Sequence, residues 1–213
     1  MDERHVTFKC GDIELEGCAS IEPDRPSLIV CHPHPLYGGS MDSSVVLALR
    51  NAARNLGMAT LRFNFRGTGK SGGRHSDGVH EIEDAKAALE FLLQQNVDAH
   101  NISIAGYSFG ARIALKLASQ DGRIKKVVAV AAPSSYDYSF LKHCATPKLI
   151  ILGEYDDIAP PKELERILAN MPNVEITVIK GADHQFHGEL EHIRDIAQKF
   201  LSPKTIYKDY CGR

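Results

Sequence analysis

Ser108 stands in the run Gly106-Tyr107-Ser108-Phe109-Gly110, between an apolar stretch at 101–105 and a helical pattern at 111–118. A strand that ends on a serine and turns at once into a helix is the setting of a nucleophile elbow. The turn is too tight for side chains beside the serine, so glycines flank it two residues away on each side. The helix that follows aims its free N–H groups at the site and favours negative charge developing there. The chemistry indicated is attack by a hydroxyl. A serine hydroxyl is a poor nucleophile at neutral pH and needs a base, which in turn needs an acid to hold its tautomer.

With the serine first, acid and base are expected on loops after later strands, in the order Ser, Asp, His. After an apolar run at 148–152 come Asp156 and Asp157, and after another at 174–179 come His184 and His187. Adjacent aspartates cannot both face one imidazole; distance from the strand end favours Asp156. His187 lies nearer the last helix and reads as a capping or surface residue, which leaves His184 as the base. An oxyanion needs two N–H donors. The residue after the serine, Phe109, supplies one. The other is expected from the loop at 32–40, His-Pro-His-Pro-Leu-Tyr-Gly-Gly-Ser. Proline has no N–H, so Pro33 and Pro35 are excluded and the donor is His34 or Leu36. Neither a carboxylate nor a cysteine stands at ligand spacing from these histidines, and no metal site is expected. Tyr37, Phe109, Tyr136, Tyr138, Phe140 and Phe186 lie on loops near the site and are candidates for a substrate pocket, Tyr37 and Phe109 foremost.

These residues need elements to position them. Residues 6–21 alternate apolar and polar and predict a hairpin. From Pro26 onward, continuous apolar runs alternate with helical patterns. Strands are expected at Ser27–Cys31, 59–65, 101–105, 126–131, 148–152 and 174–179. Helices are expected at 45–56, 81–95, 111–118, 161–171 and 190–201. Buried strands alternating with helices mean a mainly parallel sheet covered on both faces, within one domain spanning 1–213. Ligands then bind beyond the carboxyl ends of the strands, where Ser108, Asp156 and His184 would meet. The segment at 132–147 has room for one turn or short helix, so an open site without a lid is expected. The run at 66–71, Arg-Gly-Thr-Gly-Lys-Ser, has one residue between its glycines and so lacks phosphate-loop spacing; it reads as a structural turn. Glu81 and Asp84 are expected to start their helix.

The 213 residues are 43% hydrophobic, enough for one sizeable core. A net charge of −2 with dispersed basic residues argues against a nucleic-acid binder. No apolar run reaches the roughly 20 residues of a membrane span, and the first residues show no signal-peptide core. The five scattered cysteines lack a C-x-x-C pair and fit a reducing cytoplasm rather than a disulfide framework. An edge strand or the terminal helix is where two copies would pair in a homodimer. The tail at 206–213 is expected to be disordered or packed on a neighbour.

Five segments together resemble the α/β-hydrolase superfamily. They are the Gly106–Gly110 elbow, the loop at 32–40, the run at 62–71, Gly153 with Asp156, and 181–184. The 32–41 and 62–71 segments are most similar to small lidless hydrolases related to dienelactone hydrolases. The resemblance implies Ser108, Asp156 and His184 as a triad. It also implies about eight strands, the second antiparallel. The chain departs in having Ser108 where dienelactone hydrolases use cysteine, and His-Pro-His-Pro where many relatives have His-Gly. The activity expected is hydrolysis of a small acyl ester or thioester without metal or organic cofactor. A peptidase or amidase on the same triad, and a non-catalytic binding protein on the same fold, are the alternatives.

Overall fold

A computed structural model describes residues 2–203; the tail at 206–213, with Cys211, lies outside the described residues. The strands are β1 (Arg4–Cys10), β2 (Ile13–Ser20), β3 (Ser27–Cys31), β4 (Ala59–Phe63), β5 (Ile102–Tyr107), β6 (Ile124–Val130), β7 (Lys148–Gly153) and β8 (Val174–Ile179). The helices are α1 (Ser44–Asn55), α2 (Glu81–Gln94), α3 (Phe109–Gln120), α4 (Pro161–Leu168) and α5 (Leu190–Leu201). All eight strands form one sheet in the order β1-β2-β4-β3-β5-β6-β7-β8. Only β2 runs against its neighbours, pairing antiparallel with both β1 and β4. The rest of the ladder is parallel from β4 to β8.

Right-handed crossovers then dictate where the helices go. From β3 the chain moves one way to β4 through α1. From β4 it moves the other way to β5 through α2, and it keeps that direction through α3 and α4. Helices α2, α3 and α4 therefore cover one face, and α1 with its partner α5 covers the other. Strands β3, β4, β5 and β7 are buried along their whole length, as strands covered on both faces must be. That is why they read as mainly apolar runs, with Thr60, Arg62, Ser103 and Lys148 among the buried exceptions.

Several element ends differ from the expectation by one to three residues: β4 ends at Phe63 rather than 65, β6 starts at Ile124 rather than 126, and α3 spans Phe109–Gln120 rather than 111–118. Helix α4 stops at Leu168 rather than continuing to 171, because Met171 packs on the core from the turn beyond it and prolongs the apolar pattern. A short 3₁₀ turn, Pro35–Tyr37, begins just after His34. Between β6 and β7 there is only the 3₁₀ turn Ser139–His143, so nothing of lid size is inserted there. Among the described residues no helix is long and apolar enough to cross a membrane.

Candidate active site

Strand β5 delivers Ser108 at its carboxyl end, and α3 begins on the next residue. The serine sits at φ 53°, ψ −117°, a conformation that non-glycine residues adopt only when their surroundings enforce it. The surroundings here are backbone. Ser108 N–H donates to the Val130 carbonyl at 2.8 Å. A Cβ on Gly106 would stand 2.2 Å from the Gly110 carbonyl oxygen, and one on Gly110 would stand 2.4 Å from that of Cys31. Both glycines are therefore demanded by close approach rather than by their own torsions.

The acid and base loops are tied to each other before they reach the serine. Tyr155 N–H donates to the Ala182 carbonyl at 2.8 Å, and a Cβ on Gly153 would stand 2.7 Å from the carbonyl oxygens of Ala182 and Asp183. The buried Asp156 carboxylate lies 2.8 and 2.9 Å from His184 Nδ1. Its Oδ1 also accepts from the Ile158 and Ala159 N–H groups at 2.9 and 2.8 Å. His184 Nε2 lies 3.1 Å from Ser108 Oγ. The Tyr107 hydroxyl donates to the His184 carbonyl at 2.8 Å, holding the base from behind. Burial, and after it the Asp156 charge, push the Tyr107 phenol upward, so it stays a donor. Asp157 is exposed. His187 is 83% exposed and lies 4.0 Å from Asp183. A carboxylate, an imidazole and a hydroxyl in one hydrogen-bonded line can draw the proton off the hydroxyl.

Beside them opens a cavity of about 600 Å³. It is lined by His34, Tyr37, Gly39, Pro133, Tyr136 and Ile158 together with the buried Ser108, Phe109 and His184. Tyr138, Phe140 and Phe186 do not line it. Phe186 is core, and the buried Tyr138 hydroxyl donates to the Pro133 carbonyl at 3.0 Å. Leu36 is 74% exposed, and its N–H is committed to His34 Nδ1 at 3.3 Å. The N–H groups of His34 and Phe109 have no hydrogen-bond partner among the described residues. The His34 ring packs edge-on against Phe109 at 5.2 Å.

Comparison with known proteins identifies the family and the fold. A family model described as an alpha/beta hydrolase domain matches residues 26–200. The chain belongs to the α/β hydrolases. This α/β hydrolase is 35% identical over 210 residues to an uncharacterized protein of Rickettsia prowazekii, covering 94% of the chain and 87% of that protein. Its fold is similar to that of an alpha-beta serine hydrolase homologue from Coxiella burnetii: TM-score 0.87, 35% identity, 95% of this chain and 99% of that one. It is also similar to a serine hydrolase without lid from Xanthomonas campestris: TM-score 0.84, 30% identity, 93% of each chain.

Sequence reasoning about the α/β hydrolase missed the groups that hold the loops. Glu81 and Asp84 lie in the first turn of α2 as expected, and they also hold loops. Asp84 is fully buried and binds Arg66 through its guanidinium, as close as 2.6 Å, and through its backbone N–H at 3.0 Å. Glu81 accepts from the N–H and hydroxyl of Ser76 and from the Gly78 N–H at 2.7–2.8 Å. That bonding folds 75–77 against the site, where His75 and Asp77 stand beside His34. These three offer donor atoms within 4.8 Å of one another. The Leu36 N–H on His34 Nδ1 leaves the proton of neutral His34 on Nε2, facing Asp77 at 3.9 Å, too far for a hydrogen bond, and the three side chains make no hydrogen bond to one another among the described residues. Nothing at 75–77 signals this from sequence, because the contact spans some forty residues.

Proposed function

We propose that this α/β hydrolase is a serine hydrolase that cleaves carboxylic ester or thioester bonds of small acyl substrates. The observation that carries the reading is the Asp156–His184–Ser108 line ending on a strained serine that lines an open cavity. In this reading Ser108 Oγ attacks the acyl carbonyl and His184 Nε2 takes the serine proton. Asp156 holds the other ring nitrogen and stabilises the imidazolium. The negative oxygen of the tetrahedral intermediate sits between the Phe109 and His34 N–H groups. His184 gives its proton to the leaving alcohol or thiol, and the acyl group remains on Ser108. Water then attacks the acyl-enzyme with His184 again as base. The acid leaves, and the proton returns to Ser108.

The wall favours neutral substrates. No lysine, arginine or carboxylate lines the cavity among the described residues. Tyr37, Tyr136 and Ile158 offer apolar surface, and Tyr37, 88% exposed, stands at the mouth. The test is labelling by a fluorophosphonate probe, followed by a panel of p-nitrophenyl esters, acyl thioesters and aminoacyl amides. Wild type is expected to label and to turn over short neutral esters, and Ser108→Ala to do neither. Activity on amides without esters would move the assignment to an amidase. A wild type that neither labels nor turns over any acyl substrate would overturn it.

A further inference from the structure

His32 is fully buried at the end of β3, immediately before the loop that carries His34. Its Nε2 accepts from the Phe65 N–H at 3.0 Å. A neutral imidazole that accepts at Nε2 carries its proton on Nδ1. That Nδ1 lies 2.6 Å from the Pro33 carbonyl oxygen, so Nδ1–H donates to it. Burial pushes His32 protonation down to about 4, and the ring keeps this tautomer at neutral pH.

The Pro33 carbonyl and the His34 N–H belong to one peptide group. No cis peptide occurs among the described residues, and in a trans peptide these two groups point in opposite directions. Whatever fixes the carbonyl therefore fixes the N–H. Three further features restrict the same unit. Pro33 locks its own φ, and Pro35 keeps His34 extended at φ −59°, ψ 122°. The Gly39 backbone presses on the other side: a Cβ there would stand 2.2 Å from the Pro33 oxygen and 2.5 Å from its carbon.

We propose that His32 is a positioning residue whose Nδ1–H clamps the Pro33–His34 peptide and so presents the His34 N–H to the oxyanion. The inference rests on the serine-hydrolase reading given above. Hydrogen bonding to the carbonyl also polarises the peptide and strengthens its N–H as a donor. His32 touches neither substrate nor Ser108; its whole contribution passes through one N–H.

That single route makes the test a double-mutant cycle on p-nitrophenyl butyrate hydrolysis. His34→Pro removes the N–H at a φ that proline adopts, and His34→Ala, which keeps the N–H, is its reference. His34→Pro is expected to lower kcat relative to His34→Ala by on the order of 10²–10³. His32→Gln keeps an acceptor for the Phe65 N–H but places no donor at the Nδ1 position. It is expected to lower kcat about 10- to 100-fold with KM changed less than about threefold. In the His34→Pro background the same change is expected to cost less than about twofold, because the N–H it positioned is gone.

His32→Asn puts an amide donor where Nδ1 was and gives up the Phe65 contact; it is expected to stay within about fivefold of wild type. A cost for His32→Gln that is equal in both His34 backgrounds would overturn the clamp. Should His32→Gln fail to fold, His32→Asn decides: kcat near wild type supports the clamp, and a loss as deep as that of His34→Pro overturns it. An active wild type with an additive cycle refutes His32 alone. A wild type that neither labels with fluorophosphonate nor hydrolyses the ester refutes both the clamp and the reading beneath it.

Discussion

Asp156→Asn tests the acid at the point where the geometry is most constrained. Asp156 Oδ1 accepts two backbone N–H groups, from Ile158 and Ala159. An asparagine must keep its oxygen there, since an NH₂ would face two donors. Its nitrogen then takes the place of Oδ2, 2.8 Å from His184 Nδ1. That NH₂ donates, so Nδ1 must accept and the ring proton moves to Nε2. Nε2–H would face Ser108 Oγ at 3.1 Å and could no longer take its proton. Losing the tautomer and the charge on the acid together is expected to lower kcat by about 10⁴, or roughly 5.5 kcal/mol of transition-state stabilisation. Stability should barely change, because the size of the side chain and both bonds to Oδ1 are kept. Asp157→Asn, on an exposed side chain, should stay within about threefold of wild type. Steady-state hydrolysis of p-nitrophenyl butyrate at pH 7.5 measures both, with thermal melts as the folding control. Asp156→Asn within tenfold of wild type, or Asp157→Asn as the more damaging change, would refute the assignment.

Two further outcomes follow from the supporting structure. Gly110→Ala would put a Cβ 2.4 Å from the Cys31 carbonyl oxygen and 2.5 Å from that of His32, forcing α3 away from the end of β3. Denaturant titration should show a loss of about 1–3 kcal/mol or more, and an unchanged midpoint would show that the elbow does not need that approach. Glu81 bears on acid stability. Burial pushes its carboxyl up, but the hydrogen bonds from Ser76 and Gly78 outweigh it and hold the group below its ordinary value of 4.5. A depressed carboxyl contributes stability that is complete above the unfolded value and is lost as pH falls through the folded one. The melting-temperature gap between wild type and Glu81→Gln should thus be full above about pH 5.5 and shrink below about pH 4.5. A gap independent of pH would mean that the ionised form is not what holds 76–78.

What could be read from the sequence, and what could not, divides along a physical line. The elbow was legible because a strand, a strained turn and a helix N-terminus each leave a local mark: an apolar run, two glycines, and a helical period. Asp156 and His184 were legible because a parallel sheet puts its loops at one end, so position after a strand is enough. The second oxyanion donor was not legible. His34 and Leu36 differ only in what their N–H groups meet. The 3₁₀ turn Pro35–Tyr37 bends the Leu36 N–H back onto His34 Nδ1, which is why the proposed mechanism uses the His34 N–H. The holding contacts were equally silent, because each joins groups far apart in the chain: His32 with Phe65, Tyr107 with His184, Arg66 with Asp84. None involves a residue type that announces its partner.

The same division bears on how such a site is held. Ser108 is fixed by close-packed backbone, where glycine is the only requirement and the cost of an error is steric. In our proposal the oxyanion loop, already restricted by Pro33, Pro35 and the Gly39 backbone, is clamped by a proton on one nitrogen of the buried His32, where the cost of an error is a rotated peptide. Small changes of volume should therefore reach the nucleophile mainly through stability. Changes of hydrogen-bond polarity at His32 should reach the transition state while the fold stands. Since the Phe65 N–H dictates which nitrogen of His32 carries the proton, the backbone just beyond β4 sets the direction of an N–H beyond β3. Pairing two parallel strands thus does more than build the sheet: it decides a tautomer, and through it the placement of the group that would meet the oxyanion.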